Sequence, residues 1–138
     1  MKNEILITVS RFIFPFILAL GFYVQINGNN APGGGFQAGV IMASAFILFS
    51  LISGSKKSVQ VLSLKKMKIL ASLGVILYAG TGFISVMMGG EFLNYSLLEN
   101  RLFEKQTLGI SLIEWGVGMT VFSVFSIGYY LLDSRGDK

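Results

Sequence analysis

An all-α integral membrane protein with four spanning helices is what this sequence predicts, and three observations carry the prediction. Of its 138 residues, 53% are hydrophobic and only 13% are charged, half the charge density of an ordinary soluble domain, which is about 25%. The mean hydropathy is +0.69. The apolar residues are gathered into four long stretches, without the ~10-residue alternation of a membrane β-barrel. A small soluble globule could not wet its surface with so few charges. Cysteine and histidine are both absent. Disulfide frameworks, thiolate metal sites, thiol catalysis and the commonest general base are therefore excluded, and no cofactor or enzyme activity is expected.

The stretches cover residues 5–26, 36–52, 69–88 and 108–132. At 1.5 Å of rise per residue each reaches across most or all of a ~30 Å hydrocarbon core. Backbone in lipid must satisfy its own hydrogen bonds, so each is a helix. The first stretch contains Arg11 and Pro15, but its fourteen Ile, Leu, Phe and Val residues contribute about −0.3 to −0.6 kcal/mol each against about +2.5 to +3.5 for a central Arg. Insertion wins, and Arg11 is near enough to one end to snorkel. Pro15 predicts a kink. The run is long for a signal peptide and no A-x-A site follows, so the segment is expected to stay attached.

The second stretch carries Gly35, Gly39 and Ala43 at intervals of four, a small-residue stripe that lets another helix approach closely. Small residues recur in the third stretch (Ala71, Gly74, Ala79, Gly80, Gly82) and in the fourth (Gly109, Gly116, Gly118 and Gly128, with Thr120, Ser123 and Ser126). Four helices cannot bury so many packing surfaces among themselves, which points to a larger assembly. No internal repeat is visible, which argues against an inverted-repeat transporter in one chain.

The net charge of +4 reads as membrane topology rather than nucleic-acid binding. Lys56, Lys57, Lys65, Lys66 and Lys68 lie between the second and third stretches with no acid among them. Lys2, Arg11, Arg135 and Lys138 lie toward the termini. On the other side Arg101 and Lys105 are offset by Glu91, Glu99 and Glu104. The positive-inside rule places both termini in the cytoplasm, and four spans require both termini on one side. Residues 55–68 interleave lysines with Val and Leu and are expected to lie on the membrane surface. Residues 89–107 are expected to fold against helix ends or a neighbouring subunit.

Two features could carry chemistry. Residues 27–39 read N-G-N-N-A-P-G-G-G-F-Q-A-G. A phosphate loop would need Lys-Ser/Thr where Phe36-Gln37 stands, so the glycines predict a tight hairpin. The amides of Asn27, Asn29, Asn30 and Gln37 either cap backbone groups or solvate a cation. Glu114 is the one acid within a span. A carboxyl at membrane depth is a candidate proton carrier; the plainer reading is a hydrogen-bonded lock at a helix interface, with Ser111 and Gly118 on its face. Arg11 and Glu114 lie near opposite boundaries, leaving ~12 Å of axial gap. Glu114 is therefore expected to find its partner on another chain.

The run from Gly28 through Asn29, Pro32, Gly33, Gly34, Gly35, Phe36 and Gln37 to Gly39 resembles the signature of the MnhB/MrpB subunit family of Mrp-type multisubunit Na⁺/H⁺ antiporters. The similarity extends to the four-span layout, the chain length, Gly89-Gly90-Glu91-Phe92-Leu93 and Glu114-x-Gly116-Val117. The family's loop commonly reads Gly-His, where this chain has Asn29, so titration of the loop itself near neutral pH is not implied here. The resemblance implies a single MnhB-like domain over residues 1–138 in a bacterial cytoplasmic membrane. It implies a hetero-oligomeric complex in which inward proton flow drives Na⁺ outward and to whose assembly this subunit is needed. Glu114 is then the candidate relay. Asn29, Pro32, Gly33, Gly34, Gly35, Phe36, Gly39 and Ala43 form the signature loop and packing surface. Alternatives are the equivalent subunit of a complex I-like membrane-bound hydrogenase, or a stand-alone homodimeric small exporter. The exporter fits poorly, because such proteins place an essential Glu in the first span, where this chain has Arg11.

Overall fold

The computed structural model describes residues 4–28, 33–87, 89–93 and 107–136. Its helices are α1 (Glu4–Asn27), α2 (Gly35–Ser53), α3 (Ser55–Val61), α4 (Leu64–Met87) and α5 (Thr107–Gly136), with no strand among the described residues. All but α3 are long and apolar enough to cross a membrane. α1 continues as helix through Pro15.

The helices form a row, with α1 against α2, α2 against α5 and α5 against α4. Their directions follow from the pairs that meet. Phe14 stacks near Phe49 at 5.8 Å between ring centroids while Gly21 faces Met42, so α1 and α2 are antiparallel. Gly35 meets Glu114 and Gly39 meets Gly118, so α2 and α5 run in parallel. Thr120 reaches the Ala71 carbonyl at 3.5 Å while Gly116 lies against Tyr78, so α4 opposes α5. The start of α1 and the end of α5 therefore share one end of the molecule.

The third span differs from expectation. Lys65, Lys66 and Lys68 were expected in a surface segment, yet α4 begins at Leu64 and carries all three in its first turns. Ser63 caps this helix, its Oγ accepting from the Lys66 N–H at 3.4 Å and its carbonyl from the Met67 N–H at 3.0 Å, which is N-cap geometry. Lysine is a good helix former and can snorkel, so the helix outruns its apolar portion. Only α3 remains as a separate element. It is hinged at Gly54, whose φ of 85° favours glycine, and pinned by a buried Ser50–Ser58 hydroxyl pair at 2.8 Å. At the other end of α4, Gly89 has φ 84° and its N–H bonds to the Val86 carbonyl at 3.0 Å. The chain turns there so that Phe92 packs on Gly82. Folding of residues 89–93 back onto a helix end agrees with expectation; residues 94–106 lie outside the described ones.

The inner surfaces are made of small side chains. Ala38, Ala43, Ala45, Ser85, Ser123 and Ser126 are fully buried. The last two serines donate to carbonyls one turn back in α5, at 2.7 Å each, so their hydroxyls cost nothing at membrane depth. Large apolar residues such as Ile5, Phe12, Phe16 and Leu132 are exposed instead. That inversion of the soluble pattern is what lipid or neighbouring subunits require.

Candidate functional site

Three helix segments converge on Glu114: the last turn of α1, the first turn of α2 and the middle of the outer half of α5. A methyl group placed on Gly28 would fall 2.6 Å from one carboxyl oxygen of Glu114 and 2.9 Å from the other. One on Gly34 would lie 3.5 Å from the nearer oxygen, and one on Gly35 would collide with the Glu114 carbonyl oxygen. At these positions a hydrogen side chain is what permits the close approach to Glu114. One turn deeper, a methyl on Gly39 would come within 2.7 Å of the Gly118 carbonyl oxygen. Gly118 in turn is covered by the side-chain amide of Gln25.

The predicted stripe therefore has a definite partner. Gly35, Gly39 and Ala43 are all buried, and the first two form the α2 side of the α2–α5 seam. Gly116 serves the other side of α5, lying against Gly74 of α4 with a methyl-to-carbonyl approach of 2.8 Å. Residues two apart point in nearly opposite directions on a helix of 3.6 residues per turn. The Gly116-Val117-Gly118 triplet thus lets α5 accept a close neighbour on each face. Gly33 approaches Val24 of α1. Phe36 is 59% exposed on this chain, its position on α2 facing away from both neighbours. Asn29 and Pro32 lie outside the described residues.

The Glu114 carboxyl meets Gly28 and Gly34 of its own chain, neither of which offers it a side-chain partner. It lies beside the N-terminus of α2, where Gly34 provides no side-chain cap and the helix dipole favours negative charge. Arg11 is remote, as the axial estimate implied. It lines a recess with Phe49 and Ser53 at the far end of α2, and the 17 residues from Gly35 to Ile52 span roughly 26 Å.

The described ends of the loop, Gly28 and Gly34, lie level with Glu114, well short of the ends of the neighbouring helices. α5 starts seven residues before Glu114, about 10 Å farther out. α4 runs on from Tyr78, level with Gly116, to Met87, about 13 Å. Sequence reading missed one member of the site. Gln25 is only 2% exposed, and neither its Oε1 nor its Nε2 has a hydrogen-bond partner among the described residues. The available signal was an amide placed one turn before the helix end in an otherwise apolar run. Among the described residues no group of three or more His, Cys, Asp or Glu side chains converges as metal ligands would.

Comparison with known proteins agrees with this architecture. Residues 5–127 match the model of a family described as "Domain related to MnhB subunit of Na+/H+ antiporter". A Staphylococcus haemolyticus (strain JCSC1435) protein named "Putative antiporter subunit mnhB2" is 35% identical over 127 residues, 89% of each chain. A protein of the same name from Staphylococcus aureus (strain Newman) is 36% identical over 94 residues, 67% of this chain and 66% of its own. The match takes in all of α2, α3 and α4, nearly all of α1 and two thirds of α5, including Glu114 and the glycines around it, and this chain belongs to the family of domains related to the MnhB subunit of the Na⁺/H⁺ antiporter.

Proposed function

We propose that this chain is a small subunit of a multisubunit Na⁺/H⁺ antiporter in a bacterial cytoplasmic membrane, and that Glu114 relays protons within it. The observation that carries the proposal is the close approach of Gly28 and Gly34, the two described ends of the loop through which the family resemblance is strongest, to an in-span carboxyl. The subunit contributes a proton station and packing surfaces, and other chains carry the cation path. The carboxyl takes up a proton at the loop and gives it up toward the membrane interior or a neighbouring subunit. The transmembrane potential supplies about 2.3 kcal/mol per charge per 100 mV.

Neither alternative from the sequence gains ground. The relatives carry an antiporter-subunit name, and the in-span acid lies in the fourth span, not the first. Glu114→Gln keeps the size of the side chain and removes its exchangeable charge. In everted membrane vesicles, Na⁺-driven proton efflux is expected to fall about a hundredfold, in the range of a lost proton-transfer group, with the complex still assembled on native gels. Assembly with undiminished antiport at every pH tested would reduce Glu114 to a packing residue.

A further inference from the structure

We infer that the buried amide of Gln25 is a water-binding site, and that water held there carries the proton of Glu114 onward into the membrane interior. The inference rests on the relay reading of Glu114 and adds a second station to it. Gln25 lies one turn before Gly28 on α1, and Gly118 one turn after Glu114 on α5. Gln25 Oε1 rests against Gly118, whereas the Glu114 carboxyl rests against Gly28. The two polar groups thus occupy successive levels, about 6 Å apart, of one α1–α5 seam.

Below Glu114 the seam opens into a recess of about 240 Å³. Gln25 lines it together with apolar groups that include Met42, Leu70, Met119 and Phe122. An amide buried at this depth with neither donor nor acceptor satisfied is costly, and the recess that Gln25 borders is the space in which a partner would sit. The chemistry of the group then selects the ligand. A side-chain amide presents an acceptor and two donors. Water satisfies both kinds, donating to Oε1 and accepting from Nε2. A bare monovalent cation would gain one oxygen and face the Nε2 hydrogens, and the other named lining residues have no side-chain oxygen to add. The site is therefore one for water. A proton leaving the Glu114 carboxyl passes to this water, which releases a different proton to a carboxylate of a neighbouring subunit; the Glu114 carboxylate left behind takes up a fresh proton from the loop end of α5, and Gln25 orients the water and neither gains nor loses a proton.

X-ray radiolytic hydroxyl footprinting of the assembled complex in lipid nanodiscs tests the site, because the recess contains two readily oxidised reporters, Met42 and Met119. Both are expected to be labelled in the wild type. Labelling should drop several-fold in Gln25→Met, which keeps the side chain's length, and in Gln25→Leu. Antiport in the same variants should fall about tenfold with assembly unchanged. Unlabelled reporters in the wild type, as a lipid tail or a partner helix filling the recess would produce, overturn the inference. So does equal labelling with and without the amide. The wild-type footprint bears on it even where a variant fails to assemble. Glu114→Gln separates the two readings. Full antiport in that variant ends the relay whatever the footprint, whereas a dry recess ends the water site whatever Glu114 does.

Discussion

Gly35 and Glu114 meet through main-chain atoms, and this contact separates the glycines that matter for the fold from those that do not. At Gly35 a methyl group would strike the Glu114 carbonyl. Relieving that clash means parting α2 from α5, an overpacking cost of about 1–3 kcal/mol. At Gly80 nothing lies within 4 Å of an added methyl, and alanine is a better helix former by about 1 kcal/mol. Gly35→Ala is therefore expected to lower the thermal midpoint and membrane level of the protein, and Gly80→Ala to leave its own fold intact. Immunoblots and melting of the solubilised complex check both. Equal behaviour of the two variants would show that the α2–α5 seam does not depend on close approach.

Among the elements, α3 is the one that hydropathy could not resolve. Its lysines announced a polar connection, but nothing in residues 55–68 disclosed that a seven-residue helix would be folded back on the end of α2. The buried Ser50–Ser58 contact holds it there. Ser50→Ala and Ser58→Ala are each expected to cost about 1 kcal/mol. The double variant should cost clearly less than the two together, because both single changes break the same bond. Strict additivity in the melting of the complex would show that this pair does not anchor α3. The start of α4 went unread for a related reason. A hydropathy window registers lysine as an end of membrane, whereas the backbone registers Ser63 as the beginning of a helix.

For the whole molecule, the row α1–α2–α5–α4 leaves both outer helices with broad exposed apolar faces, the geometry of a part meant to be surrounded. From the lysines we propose that both termini face the cytoplasm. The absence of cysteine makes this orientation directly measurable. Lys57→Cys, on the exposed side of α3, is expected to react with a membrane-impermeant maleimide only in everted vesicles. Phe92→Cys, near the opposite end of α4, should react only in right-side-out vesicles. The reverse pattern would invert the topology and place the loop on the cytoplasmic side.

Four spans, their even number and the candidacy of Glu114 could all be read from composition and spacing, because lipid imposes one rule on every segment it contains: satisfy the backbone internally and present apolar side chains. The stripe of Gly35, Gly39 and Ala43 was equally plain, since intervals of four mark a helix face whatever it meets. What it meets was not legible. Periodicity places a residue on a face but says nothing about which helix lies opposite or at what height. The approach of Gly28 and Gly34 to Glu114, the opposite duties of Gly116 and Gly118, and the stranded amide of Gln25 all depend on how far α1 and α2 are sunk beside α5. That offset arises from contacts between residues far apart in the chain, and only the folded molecule contains it.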